Sequence, residues 1–414
     1  MNDRTNTSFY FSFFAISTAC LSGFLFGYFM AIISGALTFI SSAFTLSLGK
    51  ESIFVSILLL GAVLGSILGG YFTDKLGRKK VFFLTGFCLI IGSLFLISTS
   101  SYSGLIIARI LQGVSIGSFS VLAPLYLGEI ASVANRGKIV AAYQLTMNFG
   151  IFFAYIVNGF YFSEGNWQMM FVVGLIPAVL QLILFFFIPE SPLWLFRKKQ
   201  KSLSLEILEK LQLPAITDKR EHRKTKLGMK TTIYIFWIGM LLSISQQFTG
   251  INTVVYYAPR IFYQAGYQTP LSAMVATSCL GATFFLSCLL SVWLVDRFGR
   301  KKLLLFGVFG MMISLFCFSL FSFLEFSFLN HSSAILLIIY VMFFSIGIGP
   351  VTWVLLSEIY PIDIRDKAMS MALVANWLSV FFILWSFPHI LSWIKISGVF
   401  GIYGIMNLFV FFLF

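Results

Sequence analysis

Residues 74–80 read DKLGRKK, and residues 296–302 read DRFGRKK, 222 positions further along the chain. Each of these charged stretches separates two long apolar runs, so each is a short loop between two helices. A second motif recurs in the same order, 229 positions apart: Glu129 and Arg136, then Glu358 and Arg365. Two motifs repeated in one order indicate that the chain consists of two related halves.

The composition places these halves in a lipid bilayer. The chain of 414 residues is 59% hydrophobic and 10% charged, which is more apolar surface than one water-soluble core can enclose. About 20 apolar residues cross a bilayer as a helix, and the apolar runs here are long and do not alternate. We predict an all-α membrane protein with twelve transmembrane helices, near 9–33, 52–72, 80–98, 104–128, 138–158 and 169–188, then 231–257, 271–295, 302–325, 333–356, 367–390 and 397–414.

A polar interruption separates the two sets of six spans. It holds 11 of the 28 Lys and Arg residues, and its Leu205, Leu208 and Leu211 recur at helical spacing. This pattern predicts short amphipathic helices beneath the membrane, with a solvated linker as the alternative. The predicted units are an N-terminal six-helix half, a cytosolic helical linker and a C-terminal six-helix half, at 1–188, 189–230 and 231–414.

The net charge of +13 raises nucleic acid as a partner. If the N-terminus lies in the cytoplasm, however, 24 of the 28 basic residues fall in cytoplasmic segments, and only Lys50, Arg260 and Lys395 fall outside. This asymmetry follows the positive-inside rule. It predicts a multi-pass protein of the cell (inner) membrane with both termini cytoplasmic, and it removes the reason to expect a nucleic-acid partner.

The reactive side chains give no sign of a catalytic or metal site. The five cysteines lie inside apolar runs without the spacing of metal ligands. The sequence also brings no nucleophile, base and orienting group together. We therefore expect no cofactor, no metal and no enzymatic activity.

Five further stretches make the chain resemble a known family. They read PLYLGEIASVANRG (124–137), PESPLWL (189–195), QQFTGINTVVYY (246–257), GPVTWVLLSEIYP (349–361) and ANW (375–377). With the two repeated loops, they resemble the major facilitator superfamily and, within it, the sugar porter family of facilitative glucose transporters and bacterial sugar/proton symporters. The resemblance implies alternating access between two six-helix halves, a small-molecule sugar as the partner and function as a monomer.

Polar side chains in the seventh span are candidates for the sugar site. Gln246, Gln247 and Asn252 lie in hydrocarbon, where an unpaired polar group is costly. A sugar can pair with them because each hydroxyl both donates and accepts, although hydrogen bonds between helices are the alternative. The resemblance implies substrate contacts at Gln144, Gln246, Gln247, Asn252, Trp353 and Asn376. Trp377 is compatible with either a pocket or packing, and Phe284 and Ser345 replace polar and acidic residues usual in the family.

The resemblance also implies two gates. Tyr256 and Tyr257 resemble the family's extracellular gate, with ordinary aromatic packing as the alternative. Ion pairs that close the cytoplasmic side are implied among residues of the repeated motifs, with topological charge as the alternative: Arg78, Glu129, Arg136, Glu190, Arg300, Glu358 and Arg365.

The acidic residues bear on proton coupling. Coupling needs a titratable group within the membrane, and none of the 15 Asp and Glu residues lies in the middle of a span. Proton-coupled sugar porters resemble residues 23–37 but carry an Asp at the position of Phe29. Arg109, which such an Asp would face, should then pair with helix carbonyls, water or a hydroxyl, or serve as structural support.

We therefore predict a facilitative uniporter for a monosaccharide, specifically a hexose. The alternatives are a proton-coupled sugar symporter and a sugar sensor that binds without transport. A drug or cation antiporter of the same superfamily is disfavoured because the fifth span lacks Pro and the spans lack buried acids.

Overall fold

The computed structural model describes residues 2–132, 135–214, 229–267, 269–324, 329–360 and 364–414. Side chains are described from residue 12 onward within these ranges, except at 292, 296, 329–331, 357, 365 and 366. The described residues form α1 (Asn2–Ala31), α2 (Ile33–Ala43), α3 (Leu48–Leu76), α4 (Arg78–Ser98), α5 (Tyr102–Ile130), α6 (Arg136–Phe162), α7 (Trp167–Leu184), α8 (Pro192–Arg197), α9 (Lys201–Lys210), α10 (Met229–Phe248), α11 (Ile251–Gln264), α12 (Pro270–Phe298), α13 (Arg300–Phe323), α14 (Leu329–Ile346), α15 (Ile348–Ile359) and α16 (Arg365–Leu413).

The helices give twelve membrane spans. Ten helical stretches in the described part of the chain are long and apolar enough to cross a membrane. One of them belongs to α16, whose 49 residues would extend about 73 Å as a straight helix, more than twice a bilayer core of about 30 Å. The backbone leaves helical geometry at Lys395, where φ is 57°, so α16 contains two spans. The pair α10 and α11 supplies the twelfth, which confirms the predicted number.

The seventh span, predicted as one helix over 231–257, is broken into α10 and α11. Gly250 has φ of 86° between α10 and α11, and a Cβ at this position would lie 2.6 Å from the Tyr403 ring. The break frees the carbonyl of Thr249, which accepts hydrogen bonds from the Tyr340 hydroxyl at 2.9 Å and the Asn407 amide at 3.4 Å. A broken helix is tolerated in a membrane when neighbouring helices satisfy its backbone in this way.

Small residues allow the helices of the first half to approach closely. Gly113 and Gly117 on α5 are spaced by one turn, and α5 packs against α3 at these positions. A Cβ on Gly113 would lie 1.9 Å from the Leu58 carbonyl oxygen, and one on Gly117 would lie 2.0 Å from that of Ala62. Without a hydrophobic driving force between helices in lipid, such close backbone packing holds them together.

Two pairs of helices join the halves. Helix α3 of the first half packs against α16 of the second half, and α6 of the first half packs against α12 of the second half. We call the ends of the bundle that carry residues 75–80, 136–138 and 297–302 the basic face, and the other ends the opposite face. The linker helices α8 and α9 lie at the basic face, where the Trp194 indole donates to the Asp74 carbonyl at 2.9 Å.

The buried side of α9 differs from the predicted leucine stripe. Leu208 and Leu211 are buried, as is Ile207, but Leu205 is 54% exposed. The buried side of α9 is therefore formed by Ile207 and Leu208, followed by Leu211 just beyond the helix, and Leu205 lies on the outer side of the helix.

Candidate functional site

Four of the six predicted sugar contacts form one hydrogen-bonded network in the second half. The Asn252 amide donates to Gln247 Oε1 at 2.5 Å, and the Gln247 amide donates to Gln246 Oε1 at 3.2 Å. Asn376 donates to the same Gln246 oxygen at 3.2 Å, and Gln246 donates to the Gly349 carbonyl at 2.8 Å. The network thus joins α10, α11, α15 and α16. We call these four side chains the amide network.

The broken seventh span positions this network. Gln246 and Gln247 lie in the last turn of α10, whereas Asn252 lies in the first turn of α11 beyond Gly250. The break allows the Asn252 side chain to turn back toward Gln247, five residues earlier. Each carboxamide offers one acceptor oxygen and two N–H donors, so the end of the network at Gln247 and Asn252 retains capacity for a hydroxylated ligand.

The other two predicted contacts lie outside the network. Trp353 is half-buried on α15, one turn beyond Gly349, the residue whose carbonyl anchors Gln246. Gln144 is half-buried on α6 in the first half, and no hydrogen bond within the described residues connects it to the amides. The structure therefore groups the polar contacts of the second half and leaves Gln144 on the other half of the bundle.

Two further buried polar atoms have no hydrogen-bonding partner within the described residues: the Trp377 indole N–H and the Ser345 hydroxyl. Trp377 follows Asn376 on α16, and its ring lies 5.7 Å from that of Phe26 on α1. From the sequence, Trp377 was compatible with either a pocket or packing. In the structure it has both a ring contact across the halves and an unsatisfied donor. Phe284, at a position usually polar in the family, is buried and packs edge-on against Phe344.

The tyrosines assigned to a gate are fully buried on α11. Tyr257 donates to the Leu384 carbonyl at 3.4 Å and packs 4.9 Å from the Phe387 ring. The hydroxyl of Tyr256 has no hydrogen-bonding partner within the described residues. Aromatic packing thus holds Tyr257 in the present arrangement, while the gate role of both residues stays a prediction.

At the basic face of the first half, Arg78 and Glu129 form a buried bidentate ion pair. The Nε and Nη2 atoms of Arg78 donate to the two Glu129 oxygens at 2.8 and 2.7 Å, and both side chains are less than one-tenth exposed. Arg78 also approaches Asp74 at 3.5 Å. This pair joins the start of α4 to the end of α5 within one half.

Glu190 caps the same region through the backbone. Its carboxylate accepts hydrogen bonds from the backbone N–H groups of Arg78 at 2.8 Å, Lys79 at 3.2 Å and Ser191 at 2.8 Å. Burial raises the pKa of the Glu190 carboxyl, and these hydrogen bonds oppose the increase by stabilising its charged form. Glu190 therefore fixes the N-terminus of α4, and it contacts Arg78 through the main chain.

The second half repeats the pair in weaker form. Arg300 Nη2 donates to Glu358 Oε1 at 2.9 Å, but the two side chains are 38% and 47% exposed. Arg136 begins α6 with an exposed side chain and takes part in none of the ion pairs found in the described part of the chain. The Arg365 side chain lies outside the described residues. Among the residues implied to close the cytoplasmic side, Arg78 thus pairs with Glu129 and Arg300 with Glu358, and each pair lies within one half. Their role in a gate stays a prediction.

Arg109 is buried without a carboxylate partner in the described part of the chain. Its Nη1 donates to Gln112 Oε1 at 3.0 Å, and its guanidinium lies 5.7 Å from the Phe54 ring. Its Nε and Nη2 atoms have no hydrogen-bonding partner among the described residues. The one hydrogen bond described for this guanidinium therefore goes to a carboxamide one turn along α5, and the predicted carbonyl, water or hydroxyl partner for its other nitrogens stays a prediction. Phe29 is fully buried and packs 5.5 Å from the Tyr28 ring.

The site contains no obvious place for a metal ion. In the ranges that the structure describes, no group of three or more His, Cys, Asp or Glu side chains could hold one. The chemistry of the site is that of neutral amides, an indole and aromatic rings, which suits an uncharged hydroxylated ligand.

Comparisons with known proteins agree with this architecture. The family model described as Sugar (and other) transporter matches residues 15–414. The arabinose-proton symporter of Escherichia coli strain K12 is 34% identical over 413 residues, which cover 95% of this chain and 88% of that protein. The galactose-proton symporter of the same strain is 32% identical over 418 residues, which cover 96% of this chain and 89% of that protein.

A solved structure matches the fold over almost its whole length. The partially occluded inward open conformation of the xylose transporter XylE from E. coli superposes with a TM-score of 0.85 at 29% identity, covering 97% of this chain and 96% of that chain. This match confirms the predicted major facilitator fold, and the matches to transporters confirm that the protein is not an enzyme. The chain therefore belongs to the Sugar (and other) transporter family and is an integral, multi-pass membrane transporter.

Proposed function

We propose that this chain carries a monosaccharide across a cell membrane by alternating access, with transport coupled to protons. The observation that supports a sugar as the substrate is the amide network. Its end at Gln247 and Asn252 offers uncharged hydrogen-bond donors and acceptors. A sugar hydroxyl can answer both roles of a carboxamide. The sugar lies between this network and the first half. Gln144 on α6 contacts it from the first half, and Trp377 on α16 contacts it from the second half.

Proton coupling is supported by the relatives, which are named as proton symporters for arabinose, galactose and xylose. These relatives favour the symport alternative over the predicted uniport. The sugars in their names are two pentoses and one hexose. These names support a monosaccharide as the substrate class, and the predicted hexose is one candidate within that class.

Facilitative uniport remains the second candidate because of Phe29. An aromatic ring cannot bind a proton, and buried Arg109 has no carboxylate partner within the described residues. A carrier without a titratable group in the membrane would equilibrate its substrate without concentrating it.

The topology that accompanies this function is also a proposal. We place the basic face in the cytoplasm by the positive-inside rule and divide the chain at 188 and 230 into two halves and a linker. Labelling of a cysteine introduced at Lys50, in a variant without the five native cysteines, should occur from outside intact cells. Labelling that requires permeabilised cells would contradict this orientation.

Purified protein in liposomes can test transport and coupling together. Counterflow of labelled sugar, competed by unlabelled arabinose, xylose, galactose, glucose and a polyol, should reveal flux and rank the substrates. An imposed inward proton gradient should then drive accumulation above equilibrium. Counterflow without accumulation would support uniport instead, whereas sugar binding without any flux would contradict transport and favour a sensor.

A further inference from the structure

An ion pair at the opposite face joins the two halves. Arg260 on α11 donates through Nη1 to Glu51 Oε1 in the first turn of α3. The side chains are 36% and 13% exposed, respectively, and the other Glu51 oxygen accepts from the Ser41 hydroxyl at 3.1 Å. We propose that this pair is the lock that holds the opposite face closed and that it breaks whenever this face opens.

A second contact between the halves lies close to the pair. The Tyr155 hydroxyl on α6 donates to the Val255 carbonyl on α11 at 2.9 Å. Val255 is five residues before Arg260, about 7.5 Å along the helix. Two helices of the first half, α3 and α6, are thus attached to α11, the short helix beyond the break at Gly250. Opening this face requires α11 to release both.

This pair differs from the other ion pairs of the described residues because its partners lie in different halves. Arg78–Glu129 and Arg300–Glu358 each lie within one half, and Lys210–Glu206 lies within α9. A pair inside a rigid half survives when the halves rock, so it contributes equally to both conformations. Among the ion pairs of the described residues, Glu51–Arg260 alone spans the halves, so its energy differs between open and closed states.

Partial burial makes the lock strong enough to shift the equilibrium and weak enough to open. Glu51 is mostly shielded, whereas Arg260 keeps a third of its side chain in contact with solvent. Exposed ion pairs contribute little to the free energy of the state that contains them, and buried ion pairs are costly to break. We expect removal of either charge to raise the ratio of open to closed molecules at this face about three- to tenfold.

This inference rests on the alternating access of the proposed function, but its test needs no sugar. Spin labels at Ser103, in the first turn of α5, and Leu271, in the first turn of α12, would report the distance across the opposite face. Both positions are exposed and lie in different halves. Double electron–electron resonance on purified protein in liposomes would give the populations of short and long distances.

Glu51→Gln and Arg260→Gln should each increase the long-distance population by about three- to tenfold. Exchanging the charges, with Glu51→Arg and Arg260→Glu in one protein, should return the distribution toward that of the parent. Glu206→Gln, which removes one charge of an exposed pair within α9, is the matched control and should change nothing. Thermal unfolding of every variant verifies that each is folded.

Unchanged distances in both single variants, or an exchange variant as open as the single ones, would overturn the lock. Counterflow separates this result from a failure of the proposed function. If the parent moves no sugar but the single variants still open, the lock stands and the transport proposal fails. If the parent moves sugar and the distances do not shift, the lock is wrong and transport stands.

Discussion

The Trp377 indole N–H is a buried donor without a partner among the described residues, and such a group carries a desolvation cost unless a ligand satisfies it. Trp377→Phe keeps a ring against Phe26 but removes the donor. We expect the KM for sugar in counterflow to rise about three- to tenfold, corresponding to one lost hydrogen bond of about 1 kcal/mol, with no loss of thermal stability.

Trp393→Phe is the control for this substitution, because Trp393 is 80% exposed at the surface of the bundle. Its KM should match that of the parent. An equal effect of both substitutions, or a KM unchanged by Trp377→Phe, would mean that Trp377 serves only in packing.

Phe29 and Arg109 define a second experiment at the residue scale. Phe29→Asp places a carboxylate at the position that the family resemblance pairs with Arg109, whose Nε and Nη2 have no partner in the described part of the chain. We expect proton-driven sugar accumulation to become stronger and to depend on pH, because the introduced carboxylate can bind a proton. Phe29→Asn, which has the same size but does not titrate, should leave accumulation at the parent level; equal behaviour of the two variants would contradict the idea.

Single residues also show where sequence reasoning ends. The amides were predictable because a polar group in an apolar span demands a partner, but which amide pairs with which depends on the break at Gly250. The Arg109 partner was not predicted, because only the packed helix shows that its Nη1 reaches Gln112, three residues further along α5. Arg260 was predicted to lie outside the membrane, and only the packed fold brings it together with Glu51, 209 positions away.

At the scale of one element, the break between α10 and α11 depends on Gly250. Its φ of 86° is a conformation that L-residues rarely adopt, and the Tyr403 ring occupies the space of a Cβ. Gly250→Ala should lower the midpoint of thermal unfolding by several degrees and reduce counterflow at least tenfold, because Asn252 moves away from Gln247.

Gly159→Ala provides the comparison, since a Cβ at this helical glycine of α6 meets nothing within 4 Å. Its stability and flux should equal or exceed those of the parent. If Gly250→Ala transports as well as Gly159→Ala, the break does not position the site.

The elements themselves were largely predictable. Long apolar runs dictate helices in a bilayer, so most spans were located to within a few residues. The interruption of the seventh span was not predictable, because the sequence offers only a Thr-Gly pair there. The hydrogen bonds that satisfy the freed Thr249 carbonyl come from Tyr340 and Asn407, far along the chain. Tertiary hydrogen bonds of this kind leave no periodic signal.

For the whole molecule, the two basic-face pairs make unequal contributions to stability. Glu129→Gln leaves the buried Arg78 guanidinium without its bidentate partner and should cost about 3 kcal/mol. Glu358→Gln disrupts a pair whose side chains are more than one-third exposed and should cost at most about 1 kcal/mol. Thermal unfolding midpoints in detergent compare the variants directly, and equal losses would contradict this asymmetry.

The amide network lies entirely on helices of the second half, and its backbone anchors, Gly349 and Ser243, lie there too. The second half should therefore determine which sugars the transporter prefers. A chimera that joins the first half of a relative to the second half of this protein should carry this protein's sugar ranking, together with its Arg300–Glu358 ion pair. The same chimera would lack the Glu51–Arg260 pair, because Glu51 lies in the half that is replaced. It should keep the sugar preference of this protein but change how long the opposite face stays closed during transport.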